Sequence, residues 1–435
     1  MASEILYSWG PGESRLALVR DGRLVDLAVI RPTLLAGAVV LGRVVELAPK
    51  MGAVFVDIGQ DKPGFLQGVK LNQGASVLVQ VKADAQGLKG AVLTTEVVLS
   101  GRFIAYTPMR PGLSVPRKLS DDRRAILQER LACMMHDDEG IVARLHAVNA
   151  DEPALEADLT ALRSQWQQMQ QGQRDARAPA VLWRPDPLDR MLSDHPGVSR
   201  VLVDDDLAFA QAQARFGALV ERHRGGPVFD LYDTEDAVAA CLAPVVPLPC
   251  GGRVTFQGTA ALTAIDVDSG PAQPIEANQQ AVSVIARQLR LRNIAGQIIV
   301  DFVSAGGKGA LIKLIAALKQ SISSDPTATH VIGATALGLV EMTRERRGPS
   351  LSDLMVENVA LLSPQAAALR ALRLVVAEAV HHPGRALVLT VAPDVAAILH
   401  GQTGALAEIE ARLGRKPLIR AEEGRARDDI AVTEA

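Results

Sequence analysis

Asp266 and Asp268 stand two apart in the apolar stretch LTAIDVDSG, and Asp301 closes a second apolar stretch, QIIVDF. Both stretches read as strands, and side chains two apart on a strand share a face. With the two strands side by side, three carboxylates converge on one spot. Such a cluster is costly without a cation. Hard oxygen ligands with few other partners suit Mg²⁺ or Mn²⁺, often held by one or two carboxylates and a substrate phosphate. The plainer alternative is a pair of strand ends with solvated acids.

The elements that would position these acids follow from the surrounding pattern. GRVTFQ and ALTAIDV form a strand pair around Gly258. Pro274 to Arg292 is a predicted helix, with Ile275, Val282, Ile285 and Leu289 near the helical period. Arg287, Arg290 and Arg292 suit its C-terminal turn. SAGGKG opens a second helix, about Ala310 to Ser321, and THVIGAT is a further strand. SAGGKG is not a nucleotide-binding P-loop, because Gly309 and Ala310 follow Lys308 where a hydroxyl residue is required. Its backbone N–H groups could still meet a phosphate at the helix start. DVDSG is not a calcium loop either, since Ala277 replaces the closing glutamate.

Composition bounds the function class. The chain has 435 residues, which implies two to four domains, and its 48% apolar content supports globular folding. The net charge of −3 excludes a generic polyanion binder, so any nucleic-acid surface is a local patch. Cys133, Cys241 and Cys250 are widely spaced and odd in number, which fits a reducing compartment. No C-x-x-C motif offers a zinc site. The opening residues lack a signal-peptide pattern, and no apolar run reaches membrane-span length, so a cytoplasmic protein is expected.

Earlier in the chain, residues 4–30 read as two or three short strands that must pair with something later. Five strand-like segments between Ala38 and Tyr106, separated by glycine turns, suggest a small closed barrel. Phe55 and Phe65 stand out in a chain that is 3% aromatic. On an OB-type barrel such rings stack on bases, with Lys62 and Lys89 near enough to meet phosphates. The alternative for both rings is core packing.

LGRVVELAPKMGAVFVDIGQDKPGFL followed by GLKGAVLTT resembles the S1-type RNA-binding barrel of the ribonuclease E/G family. The opening hairpin, GGRVTFQGTAALTAIDVDSG, IARQLRLRNIAGQIIVDF and LGLVEMTRERRGPSL resemble the same family in the same order, covering nearly the whole chain. The resemblance implies an α+β multidomain fold. An RNase H-like domain (1–36 with 181–241) would carry an inserted S1-type OB barrel (37–108). A 5′-sensor-like segment (109–180), a DNase I-like catalytic α/β domain (242–355) and a small C-terminal α/β domain (356–435) would complete it.

The implied activity is metal-dependent endoribonuclease cleavage of single-stranded RNA in rRNA and mRNA processing and decay, leaving 5′-phosphate and 3′-hydroxyl ends. Asp266 and Asp301 match the family's Mg²⁺-holding aspartates, and Asp268 stands where the family usually has asparagine. Arg344, Arg346 and Arg347 could guide the RNA backbone. Arg144 matches the arginine of the family's 5′-monophosphate pocket, but Leu145 replaces its threonine. Asp204, Asp205 and Asp206 read as an acidic surface turn in a domain the family uses structurally. The cysteine pair that holds zinc between subunits is missing after PSL, so no zinc-linked tetramer is expected, while a homodimer is. Asp268, Pro271 in place of a basic residue, and the apolar LIKLIAALKQ all depart from the family pattern. They support a second reading, a catalytically weakened paralogue that binds RNA. No long polar tail is present, which fits the shorter, ribonuclease G-like form. The last dozen residues are polar and expected to fray, and His381 and His382 read as a helix end.

Overall fold

The structure is a computed structural model that describes residues 3–86, 89–116, 119–305, 307–358 and 361–435. It divides into two compact units, Met1–Pro32 with Val198–Ala435, and Thr33–Gly197.

The chain starts with β1 (Ser3–Ser8), β2 (Ser14–Arg20) and β3 (Arg23–Ile30), an antiparallel meander. Asp21 and Gly22 close its second turn, both at positive φ (49° and 73°), as a two-residue hairpin demands.

Residues 33–197 hold the barrel. Its strands are β4 (Val39–Ala48), β5 (Ala53–Asp57), β6 (Gly64–Gln67), β7 (Ser76–Ala83) and β8 (Val92–Thr94). Pairing runs β4–β5–β6–β8–β7 and returns from β7 to β4, a closed five-strand OB-like barrel. Val40, Val44, Val54, Val56, Leu66 and Val79 fill it. β4 bends tightly over β5 at Gly42, where a Cβ would lie 2.4 Å from Val56 Cγ1, so only glycine fits. The rest of this unit comprises β9 (Leu99–Ser100), β10 (Ile104–Thr107), β11 (Gly112–Ser114), α1 (Asp121–Met134), β12 (Gly140–Ala143), α2 (Glu152–Asp175), β13 (Ala180–Trp183) and α3 (Pro187–Asp194). β11, β12, β10 and β9 form one sheet, packed with α1 and α2 around Leu127, Leu131, Ile141, Leu155 and Leu159. Asp158 of α2 accepts from the backbone N–H groups of Arg102, Phe103 and Ile104, which pins the β9–β10 turn. The stretch GIVARLHAV is a strand only to Ala143; Leu145–Asn149 turns into a 3₁₀ helix.

The first unit resumes with β14 (Arg200–Val203), α4 (Asp206–Phe216), β15 (Val220–Arg222) and α5 (Thr234–Ala240). β14 pairs in parallel with β1, Glu4 opposite Arg200, giving the sheet order β15-β14-β1-β2-β3. The opening strands thus find their partner nearly 200 residues on. Val228–Asp233 is 3₁₀, kinked where Tyr232 takes positive φ (59°), and Asp233 follows at 50°.

A second sheet follows, made of β16 (Val245–Pro247), β17 (Arg253–Gly258), β18 (Thr263–Asp268), β19 (Gly296–Asp301), β20 (Thr329–Ala334) and β21 (Val340–Arg344) in the order β16-β17-β18-β19-β21-β20. α6 (Pro274–Leu291) connects β18 to its parallel neighbour β19, and α7 (Gly307–Ser321) follows β19. One face of the sheet is the core. Val254, Ile265, Val267, Ile298, Val300 and Met342 pack on Ala277, Ala281, Ile285 and Leu289 of α6 and Leu318 of α7. The other face carries no helix from this cluster and holds the polar side chains.

The C-terminal residues contain helices Pro364–His381, Pro393–Gly401 and Thr403–Leu413 around strand Leu387–Val391. The end of the chain is not frayed. Ala431–Glu434 pairs antiparallel with Leu387–Thr390, because Ile430 and Val432 pack against the local core. His382 lies at the end of its helix, 3.9 Å from Glu378 and 3.6 Å from Glu434.

Candidate active site and nucleic-acid interface

The β18–β19 register decides the geometry of the acids. Asp266 lies directly opposite Asp301 in the parallel pair, so their side chains leave the sheet on the same face. Both are exposed, near the carboxyl ends of their strands, where open α/β sheets place ligands. The alternation that buries Ile265, Val267 and Val300 is what turns the two aspartates outward. Behind Asp301, the buried Asn278 of α6 donates Nδ2–H to the Val303 carbonyl (2.8 Å) and accepts the Val303 N–H (3.0 Å). This two-point clamp fixes the chain as it leaves the strand carrying Asp301.

Asp268 shares the face but not the cluster. β17 and β18 form a hairpin in which Arg253 lies opposite Asp268 and Thr255 opposite Asp266. Arg253 Nη2 donates to Asp268 Oδ2 at 2.6 Å, and the Gly270 N–H donates to Oδ1 at 2.8 Å. The Gly270 N–H, with the Arg253 charge, holds this carboxyl below the usual aspartate range. The expected convergence of three carboxylates is therefore corrected to a pair, with the third acid turned to its own arginine. Among the described residues, no group of three or more acids, histidines or cysteines stands ready to hold a metal. Arg253 went unread in the sequence, though the signal was there. A hairpin with Gly258 opposite Thr263 also sets 253 opposite 268.

On the barrel, Phe55 and Phe65 are cross-strand partners on β5 and β6. Their ring centroids lie 5.8 Å apart at 61°, and both rings are half-buried, outside the interior that Val54, Val56 and Leu66 fill. Lys62 is half-buried, and Lys89 is exposed beside the short Gln86–Lys89 bridge.

The Ribonuclease E/G family model matches residues 98–347, more than half of the chain, a span that holds Arg253, Asp266, Asp268 and Asp301. The chain belongs to the ribonuclease E/G family. Ribonuclease E of Nostoc sp. is 31% identical over 378 residues, 78% of this chain and 55% of its own length. The chain thus spans about half of that relative. Ribonuclease G of Escherichia coli is 29% identical over 401 residues, 82% of each chain. Ribonuclease G of Haemophilus influenzae is 28% identical over 404 residues, again 82% of each. The chain is an enzyme of the ribonuclease E/G type.

Against that family frame, several sequence readings change. Arg344 is not a backbone guide for RNA. It is 4% exposed, its Nε donates to Asp325 at 3.0 Å and its Nη1 to the Ile294 carbonyl at 3.0 Å. It follows Val340 and Met342 on the inward side of β21, so it enters the core with them. Arg346 is exposed and reaches the Ala295 carbonyl at 3.5 Å, while Arg347 donates to the Pro326 carbonyl at 2.6 Å. Arg144 is half-buried and pairs with Asp194 at 3.4 Å. Asp204 and Asp205 are structural rather than solvated, while Asp206 is at the surface as expected. Asp204 accepts from the Trp9 and Val228 N–H groups, and burial pushes its carboxyl up. Asp205 caps α4 and binds Arg412, and Asp206 binds Arg222. Gly306 of SAGGKG and the side chain of Lys308 lie outside the described residues, so the anion-site expectation there has no structural account. No described helix is long and apolar enough to cross a membrane.

Proposed function

We propose that this chain is a metal-dependent endoribonuclease that cuts single-stranded RNA in RNA processing and decay. The observation that carries the reading is the in-register pair Asp266 and Asp301, exposed on one face at the ends of parallel strands, with no ion-pair partner among the described residues. Two carboxylates with open flanks fit a Mg²⁺ ion, or Mn²⁺, that keeps waters and takes further oxygens from substrate phosphate. When bound, such an ion supplies a nucleophile at neutral pH and relieves phosphate charge. The protein's part is to hold the two carboxylates rigid through the sheet register and the Asn278 clamp, and to leave the face open to a strand of RNA.

The OB-like barrel supports the same reading as an S1-type module, with Phe55 and Phe65 offering stacking surfaces and Lys62 and Lys89 on or next to its binding strands. The sheet order β15-β14-β1-β2-β3 fits an RNase H-like domain interrupted by the barrel, and the β16–β21 sheet with its helices is taken as the DNase I-like catalytic domain. A cytoplasmic homodimer completes the proposal. The weakened-paralogue reading loses its main support, because the charge of Asp268 is matched by Arg253. The test is incubation of 5′-labelled, AU-rich single-stranded RNA with the protein in Mg²⁺ and in EDTA, beside Asp301→Asn. Metal-dependent cleavage that the variant lacks is expected; binding without cleavage in either metal would overturn the enzyme reading.

A further inference from the structure

We propose that Arg253 is the cation that receives the RNA backbone beside the carboxylate pair, and that Asp268 is a positioning residue acting through it. The inference rests on the endoribonuclease reading and adds a residue to that face.

Arg253 and Asp268 are direct cross-strand partners, so they share the face of Asp266 and Asp301 one alternation further along the hairpin. Arg253 therefore lies about 7 Å along and one strand across from Asp266, and two strands across from Asp301, on the flank of the pair rather than between its members. Asp268 uses one oxygen for Arg253 Nη2 and the other for the Gly270 N–H. With the turn and the arginine both gripping it, the carboxylate is fixed, and both its oxygens are engaged. Arg253 is held at one nitrogen only among the described residues, and its side chain is 61% exposed. A guanidinium has five N–H donors in a planar fork. The remaining donors are open to solvent, and a tethered fork loses less freedom on binding than a mobile one. The charges also fit. Asp266 and Asp301 hold two negative charges for a cation, while Asp268 and Arg253 cancel, so RNA approaching along this face meets no third uncompensated carboxylate.

An exposed ion pair with no role is the competing explanation, and the two differ in RNA binding. Affinity for a single-stranded RNA is measured in EDTA, so that binding is read without cleavage, across a range of salt. Arg253→Ala should weaken binding about tenfold or more and lower the slope of log K against log salt by about 0.7, one phosphate contact. Arg253→Lys should keep most of that slope. Asp268→Asn should weaken binding about two- to threefold, because the fork loses its charged tether, whereas the double variant R253A/D268N should bind better than R253A, because it removes the carboxylate left unpaired. An unchanged slope in R253A, or a double variant no better than R253A, overturns the proposal. Asp301→Asn separates this from the broader reading. It should abolish cleavage and leave the salt slope intact. If it still cleaves, the carboxylate assignment fails whatever Arg253 does; if it is inactive while R253A binds normally, only the present inference fails.

Discussion

Two groups of carboxylates in the same unit are treated in opposite ways. Glu13 is 3% exposed and enclosed by arginines: Arg15 Nε at 2.7 Å, Arg31 Nε at 2.7 Å and Arg373 at 3.7 Å. Burial by itself would raise its pKa, but the charges of Arg15, Arg373 and Arg31 outweigh it and hold the carboxyl below its ordinary value. Asp266 and Asp301 are exposed, adjacent, and given no cation among the described residues. A charge taken from water must be matched inside the fold, or it unfolds the region. A charge left in water can stay unmatched, and two like charges kept side by side are free to take a cation. The difference separates an acid that holds the fold from the exposed pair to which the proposed function assigns chemistry.

Removing the buried acid should give the largest effect on stability. Glu13→Ala leaves Arg15, Arg31 and Arg373 crowded together, and a loss of about 3–5 kcal/mol is expected in urea unfolding. A shift under 1 kcal/mol would break the comparison from the structural side. On the other side, Asp301→Asn or Asp266→Asn should lower single-turnover cleavage by about 10²–10³-fold, since charge stabilisation of several kcal/mol is removed. Its unfolding midpoint should not move. A variant that cleaves normally, or that melts early, would show these acids to be structural after all.

The barrel sharpens the contrast between binding and catalysis. Phe55→Ala or Phe65→Ala should weaken RNA affinity in an anisotropy titration by about 1–3 kcal/mol per lost stack. Cleavage at saturating RNA should stay within a few-fold of the parent. Unchanged affinity would return both rings to a packing role.

The smallest effect is a pH dependence. The folded pKa of Glu13 is depressed, so its stabilising contribution is complete above the unfolded value of about 4.5. It is lost progressively as pH falls below that value and through the folded pKa. The stability difference between the parent and Glu13→Gln should therefore be constant from neutral pH to about 5 and shrink under more acid conditions. A difference that grows on acidification would reverse the assigned sign.

Much of the carboxylate site was legible because it is local. The alternation in TAIDVD and GQIIVD, the helix between them and the turns that close each strand are short-range patterns, and they put Asp266 and Asp301 on strand ends. Arg344 was readable in hindsight by the same logic, since V-E-M-T-R carries Val340, Met342 and Arg344 to one side. Its charge suggested solvent, and only Asp325, nineteen residues earlier, explains its burial. The tail was misread because its polar composition says nothing of Leu387–Thr390, the strand it joins.

By itself, the sequence determined most of the strands and helices, the five-segment barrel, the family pattern and the strand positions of Asp266 and Asp301. Each follows from local periodicity and residue chemistry. Tertiary structure alone decided which charges are matched. It sank Arg344 onto Asp325, tied Asp204 to Trp9 and Val228, and wrapped Glu13 in three arginines. Pairing of charges depends on distances between residues far apart in the chain, and those distances exist only once the sheets have formed.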